Sequence, residues 1–198
     1  MKRLLILLLA VLPMMAVAQS PNDSIEEAAA LLEKALDGRR DEFAADKPAL
    51  YATINEILLP RFDRQYAAQL VLGKHWREAS KEQRQRFIDG FYNTLLKRYA
   101  DGVLEYDQSR VTIMPFRGDA TKTRTMVRSV VSLDDGSKVP VNYALVQRNS
   151  GWMLFDVTIE GVSYIRNFRA ELDSEIRGSS LEAVIERLER EAAATPGG

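Results

Sequence analysis

Apolar residues recur every three or four positions through most of residues 22–102, a spacing that predicts amphipathic helices. The predicted helical segments are 22–38, 46–60, 63–73 and 80–102. The last has the clearest boundaries, because Ser80 and Gln83 form a capping box and Gly102 is a stop signal. Asp46 is the expected N-cap of the second segment.

Alternation of apolar and polar residues replaces the helical spacing after position 103 and predicts a sheet. The predicted strands are 109–116, 121–133, 138–147 and 152–161. Asp135-Gly136 and the stretch 149–151 are tight-turn sequences, so the last three strands should be antiparallel neighbours.

Each of these three strands should have one apolar face. On the final strand, strict alternation places on that face Met153, Phe155, Val157 and Ile159. It places on the opposite, more polar face Trp152, Leu154, Asp156, Thr158 and Glu160. We therefore expect helices to pack on the apolar face. Asp156 and Glu160 are then solvated charges on the polar face of the sheet, rather than a catalytic pair.

Two further helices should follow the sheet. The first carries the apolar stripe Ile165, Phe168, Leu172 and Ile176 and should end at Gly178. The second should open at Ser179, with Glu182 completing a capping box. Residues 191–198 have the composition of a disordered tail.

The first residues resemble an export signal. Lys2 and Arg3 precede the apolar run 4–12, and the small residues at 16–18 form a cleavage signal, which predicts a signal peptide over residues 1–18 cut after Ala18. The loss of Lys2 and Arg3 changes the formal net charge from −1 to −3. A mildly acidic domain gives no electrostatic reason to expect nucleic acid as a partner.

Candidate catalytic groups are few. The chain has no cysteine and one histidine, His75, which cannot form a usual zinc site alone. No phosphate-binding loop or nucleophile-elbow sequence occurs, and His75 is expected on an exposed helical turn beside Trp76. We therefore predict no catalytic residue, no metal and no cofactor. The apolar positions form either a filled core or the wall of a cavity, and composition does not distinguish the two.

Two ordered blocks resemble the MlaC family, also called the toluene-tolerance Ttg2 family. The first block comprises Phe62-Asp63, Leu72-Gly73, Trp76, Ala79, Gln83, Phe87, Phe91, Leu95, Tyr99 and Tyr106. The second comprises Tyr143, Gly151-Trp152, Asp156-Val157, the run 159–163, Asn167 and Arg169. Together they make residues 19–190 a single MlaC-like lipid-binding domain.

This resemblance implies a fold, a cargo and partners. The fold is α+β, with an antiparallel sheet like that of the NTF2 superfamily wrapped by helices on either side in sequence, and an apolar cavity between them. The cargo is a phospholipid, carried through the periplasm. The partners are an outer-membrane complex of MlaA with a porin and the inner-membrane ABC transporter MlaFEDB, in a system that maintains outer-membrane asymmetry.

The apolar faces supply the predicted lipid contacts. They are Leu50, Ile54, Val71, Leu72, Trp76, Phe87, Phe91, Leu95, Val127, Val141, Tyr143, Val157, Ile159, Val162 and Ile165. Asp156 and Glu160 are expected to fix the turn from the last strand into the next helix. Arg77 and Arg84 are expected to contribute to a docking surface.

Two other functions remain open from the sequence. NTF2-like folds also contain small-molecule enzymes, in which polar groups converge inside the cone of the sheet. The cargo could also be another lipid, such as a hopanoid or a sterol.

Overall fold

The computed structural model describes residues 20–119 and 121–194 of the 198-residue chain. The predicted signal peptide, residues 1–18, lies outside the described residues. Within the described part, no helix is both long enough and apolar enough to cross a lipid bilayer.

Six helices precede the sheet in the described chain. They are α1 (Pro21–Leu36), α2 (Arg40–Ala45), α3 (Lys47–Leu58), α4 (Arg64–Leu72), α5 (His75–Glu78) and α6 (Lys81–Leu104). The predicted caps are confirmed, because Asp46 accepts a hydrogen bond from Ala49 N and Ser80 and Gln83 form a capping box. Gly102 does not end α6. A helical glycine costs only about 1 kcal/mol, and Val103 and Leu104 beyond it pack against a buried cluster.

The sheet has five antiparallel strands in sequential order, as far as the chain is described. They are β1 (Val111–Ile113), β2 (Arg124–Ser132), β3 (Lys138–Arg148), β4 (Gly151–Ile159) and β5 (Val162–Ser163). Gly136 and Gly151 have φ of 80° and 111° at the two tight connections, which favours glycine there. The predicted antiparallel order of the last three long strands is confirmed.

A β-bulge in β4 changes which side chains share a face. Ala144 pairs with Asp156, but its neighbour Leu145 pairs with Leu154, so Phe155 is the extra residue. A bulge shifts the alternation by one residue. Trp152 and Leu154 therefore lie on the same face as Val157, and Met153 lies on the other face. The predicted faces of these three residues, Trp152, Met153 and Leu154, are wrong.

Two helices follow the sheet, α7 (Tyr164–Gly178) and α8 (Leu181–Ala193). The N-cap of α8 is Ser180, which accepts from Ala183 N, and not the predicted Ser179, whose hydroxyl instead donates to Glu175 O. Helix α8 also includes residues 191–193 of the segment predicted as a tail, while residues 195–198 lie outside the described chain.

Helices α4, α6, α7 and α8 pack into a cluster that we call the filled core. Its buried members are Ala67, Ala68, Val71, Leu72, Phe87, Ile88, Phe91, Ile165, Phe168, Leu172, Ile176, Val184, Ile185 and Leu188. A second cluster joins α1, α2, α3 and α6 around Leu36 and Phe43. A third joins α1 to the sheet, where Ile25 packs against Val127, Leu145 and Trp152. The predicted α+β architecture, with helices on the apolar face of the sheet, is confirmed.

Candidate functional site

An apolar cavity of about 380 Å³ lies where the three clusters meet, and it is partly open to solvent. Its wall consists of α1, α3, α6, the strands β3 and β4, and the first turns of α7. The lining residues are Ser24, Ile25, Ala28, Ile54, Leu58, Arg61, Phe62, Tyr92, Leu95, Leu96, Tyr99, Ala100, Val103, Leu145, Trp152, Leu154, Phe155, Asp156, Val157, Ile159, Tyr164, Ile165 and Phe168. Most of these side chains are hydrocarbon, so the space favours an apolar ligand.

The bulge of β4 builds one wall of the cavity. Because the alternation shifts at Phe155, residues before and after it both face inward, and Leu154, Val157 and Ile159 all line the space. Phe62 approaches from the chain before α4, where Asp63 N donates to Leu154 O at 2.8 Å. The edge of β4 is thereby fixed to the start of α4.

Aromatic rings form much of the opposite wall. Tyr92 stacks at a tilt with Phe62, with ring centroids 6.0 Å apart, and its hydroxyl donates to Asn55 Oδ1 at 2.6 Å. Tyr99 and Tyr164 meet edge to face at 5.4 Å. Burial raises the pKa of Tyr92 and of Tyr99, so these phenols stay neutral and add no charge to the cavity.

Asp156 lies where the cavity wall meets the start of α7. Its carboxylate accepts a hydrogen bond from Ser163 Oγ at 2.6 Å and another from Ile165 N at 3.0 Å. Ser163 itself accepts from Arg166 N as the N-cap of α7. The expectation of a solvated charge is therefore wrong for Asp156, because the helix begins directly beside it. The expected role in fixing the strand-to-helix turn agrees with these contacts.

Glu160 contributes to the same turn through its backbone. It has φ of 49° and is followed by Gly161 with φ of 84°. Two successive residues with positive φ make the tight turn that joins antiparallel strands. Its side chain is exposed, as expected for a solvated charge.

Arg61 is the second charged residue of the lining. Its Nη1 donates to Ile57 O at 2.9 Å and its Nη2 to Glu27 Oε1 at 3.0 Å. The side chain is 25 % exposed, so the guanidinium lies between the cavity and solvent.

Five of the fifteen predicted lipid contacts line this cavity: Ile54, Leu95, Val157, Ile159 and Ile165. They come from α3, α6, β4 and α7, and the first and last of these helices are far apart in sequence. Contact with lipid itself stays a prediction for all fifteen residues.

The other ten residues do not line the cavity. Val71, Leu72, Phe87 and Phe91 are buried in the filled core, and Trp76 packs against it. Leu50 lies in the second cluster, Val127 and Tyr143 in the third, and Val141 is buried on β3. Val162 is 58 % exposed because it follows the turn at Gly161. An apolar stripe predicts burial, but burial against other side chains leaves no surface facing the cavity.

Sequence reasoning missed most of the lining from α1 and β4. Ser24, Ile25 and Ala28 belong to a helix that was predicted, but none of its residues was among the predicted lipid contacts. Trp152 and Leu154 were assigned to the wrong face. Residues 152–155 are all apolar, so the sequence pattern does not show where the alternation shifts.

His75 lies outside the cavity and is buried, not exposed as predicted. Its Nε2 lies 2.8 Å from Asp173 Oδ1, and Lys74 Nζ lies 3.0 Å from the same oxygen. Hydrogen bonds from His75 and Lys74 lower the pKa of Asp173 to about 2. The group ties α5 to α7, a structural role that needs no substrate.

Arg84 is also engaged in structure. Its Nε donates to Trp76 O at 2.8 Å and its Nη2 to Arg77 O at 3.3 Å, which satisfies carbonyl groups at the end of α5. Its guanidinium carbon lies 5.2 Å from the Trp76 ring centroid. These contacts give Arg84 a structural role that does not depend on docking.

The sequence matches the family described as MlaC protein over residues 26–190. The chain belongs to the MlaC family. The matched segment runs from α1 to α8 and so contains every lining residue of the cavity except Ser24 and Ile25.

Similar proteins agree with this assignment. The chain is 28 % identical over 190 residues to the toluene tolerance protein ttg2D of Pseudomonas putida, covering 94 % of this chain and 88 % of the relative. It is 21 % identical over 182 residues to the intermembrane phospholipid transport system binding protein MlaC of Haemophilus influenzae, covering 89 % and 85 %.

A solved structure shares the fold. It is the phospholipid-binding protein of Ralstonia solanacearum in complex with a phospholipid, with a TM-score of 0.75 and 23 % sequence identity. The match covers 86 % of this chain and 95 % of that one. Among the described residues of the present chain, no group of three or more histidine, cysteine, aspartate or glutamate side chains is arranged to hold a metal ion.

Proposed function

We propose that this MlaC-family chain is a periplasmic phospholipid-binding shuttle that acts without catalysis. The observation that carries the proposal is the apolar cavity of about 380 Å³ between the sheet and the helices. The names of the Haemophilus influenzae and Ralstonia solanacearum proteins, which refer to phospholipid transport and phospholipid binding, support the choice of cargo.

The energetics of lipid transfer fit an apolar cavity. Each methylene removed from water contributes about 0.8 kcal/mol, so acyl chains do not leave a bilayer for water. A carrier has to offer surroundings about as apolar as the bilayer it competes with. The aliphatic and aromatic lining meets that requirement, and the hydroxyls of Tyr92 and Tyr99 stay uncharged.

Export and partners belong to the same proposal. The signal peptide would be cut after Ala18, and the mature chain would start at Gln19 in the periplasm. There it would exchange lipid with an MlaA–porin complex at the outer membrane and with the MlaFEDB transporter at the inner membrane. The family name of the chain supports these partners.

Native mass spectrometry of residues 19–198, purified without detergent, tests the proposal. We expect a mass increment of a phospholipid at fixed stoichiometry, and extraction of the same sample should identify the lipid class. A lipid-free mass that stays unchanged after incubation with phospholipid vesicles would contradict the proposal. If a hopanoid or sterol were extracted instead, the protein would still be a lipid carrier, but its cargo would not be a phospholipid.

A further inference from the structure

A smaller polar cleft of about 160 Å³ adjoins the apolar cavity. Ser24, Arg61 and Trp152 line both spaces, so these three side chains form the boundary between them, which we call the junction. Glu27 and Ser150 lie on the cleft side only. A ligand with its apolar part in the cavity and its polar part in the cleft would have the boundary between the two parts at the junction.

Hydrogen-bond donors dominate the junction. An arginine has five N–H groups, and within residues 20–119 and 121–194 Arg61 makes only its bonds to Ile57 and Glu27. Ser24 is 6 % exposed, and in the same ranges its hydroxyl has no hydrogen-bond partner. The indole N–H of Trp152, a donor only, likewise has none in the described chain. Such a group of donors suits a ligand whose polar atoms only accept.

Arg61 is the cation at the junction, although the lining of the two spaces, which includes Asp156 and Glu27, carries no positive excess. Arg61 and Asp156 are the two charged residues that line the cavity. Both carboxylate oxygens of Asp156 already accept hydrogen bonds, from Ser163 Oγ and from Ile165 N at the start of α7. Arg61 is three-quarters shielded from solvent, and its one acidic partner, Glu27, is half exposed. A positive charge in partly desolvated surroundings attracts an anion more strongly than a solvated charge does.

We propose that the junction binds the phosphodiester of the cargo lipid, with Arg61 as its counter-ion and Ser24 and Trp152 as further donors. The inference rests on the proposed function, because it presumes that the acyl chains occupy the cavity. The phosphate competes with Glu27 Oε1 for Arg61, and the half-exposed Glu27 side chain turns toward solvent or toward an amine of the headgroup. The lipid then enters tails first, with its headgroup between α1 and the end of α3.

A competition between two lipids tests the phosphate contact. Residues 19–198 are incubated with vesicles that contain equal amounts of a phosphatidylethanolamine and the diacylglycerol with the same acyl chains, and bound lipids are counted by native mass spectrometry. Wild-type protein should select the phospholipid. Arg61→Met should reduce that selectivity about tenfold or more, the effect expected for a hydrogen bond to a charged group, while Arg61→Lys should retain most of it.

Arg98 provides the matched control. Its guanidinium carbon lies 5.4 Å from the ring of Phe168, another lining residue, but Arg98 is not at the junction. Arg98→Met should leave the selectivity unchanged. The inference is overturned if Arg61→Met selects phospholipid as well as wild type does, or if Arg98→Met loses selectivity instead. It is also overturned if wild type takes up both lipids equally, whereas uptake of neither lipid would contradict the proposed function.

The two tryptophans allow a second test on protein with its junction intact. Trp152 lines the junction, and Trp76 packs against the filled core. The indole N–H nuclear magnetic resonance signal of Trp152 should differ between diacylglycerol-loaded and phospholipid-loaded protein, and that of Trp76 should not; Trp76→Phe assigns the signals. Identical Trp152 signals would overturn the inference. Inorganic phosphate should not reproduce the shift in lipid-free protein, and if it does, the site binds free phosphate.

Discussion

The filled core and the cavity are built from the same kinds of residues, and they share Ile165 and Phe168. In the filled core, four helices approach one another, and the rings of Phe91 on α6 and Phe168 on α7 meet edge to face with centroids 5.3 Å apart. Around the cavity, a sheet faces helices across a wider gap, and the side chains leave about 380 Å³ between them. Apolar character decides that a residue is buried, and the spacing of the elements decides whether a ligand has room.

The largest expected effect concerns the filled core. Phe87→Ala removes a fully buried ring and should lower the free energy of unfolding by about 3–5 kcal/mol, because a new void is left behind. Leu154→Ala, on the cavity wall, should cost about 2 kcal/mol, the low end for leucine, because the void beside it already exists. Denaturant titration measures both, and equal losses per deleted methylene would remove the distinction between the two regions.

The next effect concerns lipid occupancy. Val157 lies on the cavity wall and pairs with Tyr143 on the neighbouring strand. Val157→Arg places a charge on this wall and should reduce bound phospholipid at least about tenfold, because a charge among acyl chains costs several kcal/mol. Met126→Arg is the matched control, since Met126 is exposed on β2, outside the lining and not among the predicted lipid contacts. Native mass spectrometry of both variants gives the comparison. Unchanged occupancy in Val157→Arg would mean that this wall does not contact the tails.

A smaller effect is expected where the cavity wall meets α7. Asp156→Asn weakens the contacts to Ser163 Oγ and Ile165 N and should lower the free energy of unfolding by about 1–2 kcal/mol. Glu160→Gln, at an exposed carboxylate nearby, should change it by less than about 0.5 kcal/mol. Thermal unfolding distinguishes the two. A measured turnover that is lost in Asp156→Asn would instead support an enzyme.

The smallest effect is a pH dependence on the far side of the filled core. The pKa of Asp173 is lowered to about 2 from an ordinary value of 3.8, chiefly by its hydrogen bond from His75. The stabilisation is therefore present above pH 3.8 and is lost as the pH falls toward about 2. The melting-temperature advantage of wild type over Asp173→Asn should shrink across this window. Asp101→Asn, at a carboxylate 73 % exposed, is the control, and a similar pH dependence there would contradict the assignment.

Much of the fold could be predicted because its signals are local. The capping box at Ser80 and Gln83, the cap at Asp46 and the turn at Asp135-Gly136 each depend on a few neighbouring residues, and the structure contains all three. The errors at Gly102 and Ser179 moved helix ends by only one or two residues. Helix ends depend on small energies that packing of adjacent residues outweighs.

The site was harder to predict than the fold. Ile54 and Val157 were correctly expected on apolar faces and do line the cavity, but so were Phe87 and Val127, which pack against other side chains. Periodicity identifies the face that a residue occupies and not the distance to the next element. The family resemblance supplied the expectation of a cavity, and it did not assign the lining residue by residue.

The sequence by itself determined the order of the longer helices and strands, the α+β class and the absence of cysteine chemistry. These properties follow from composition and from patterns within each segment. Only the tertiary structure decided that the bulge at Phe155 brings Leu154 and Val157 onto one wall, that His75 is buried against Asp173, and that Ser24, Arg61 and Trp152 meet at one boundary. These contacts join residues from distant parts of the chain, and their energies exist only after the helices have packed against the sheet.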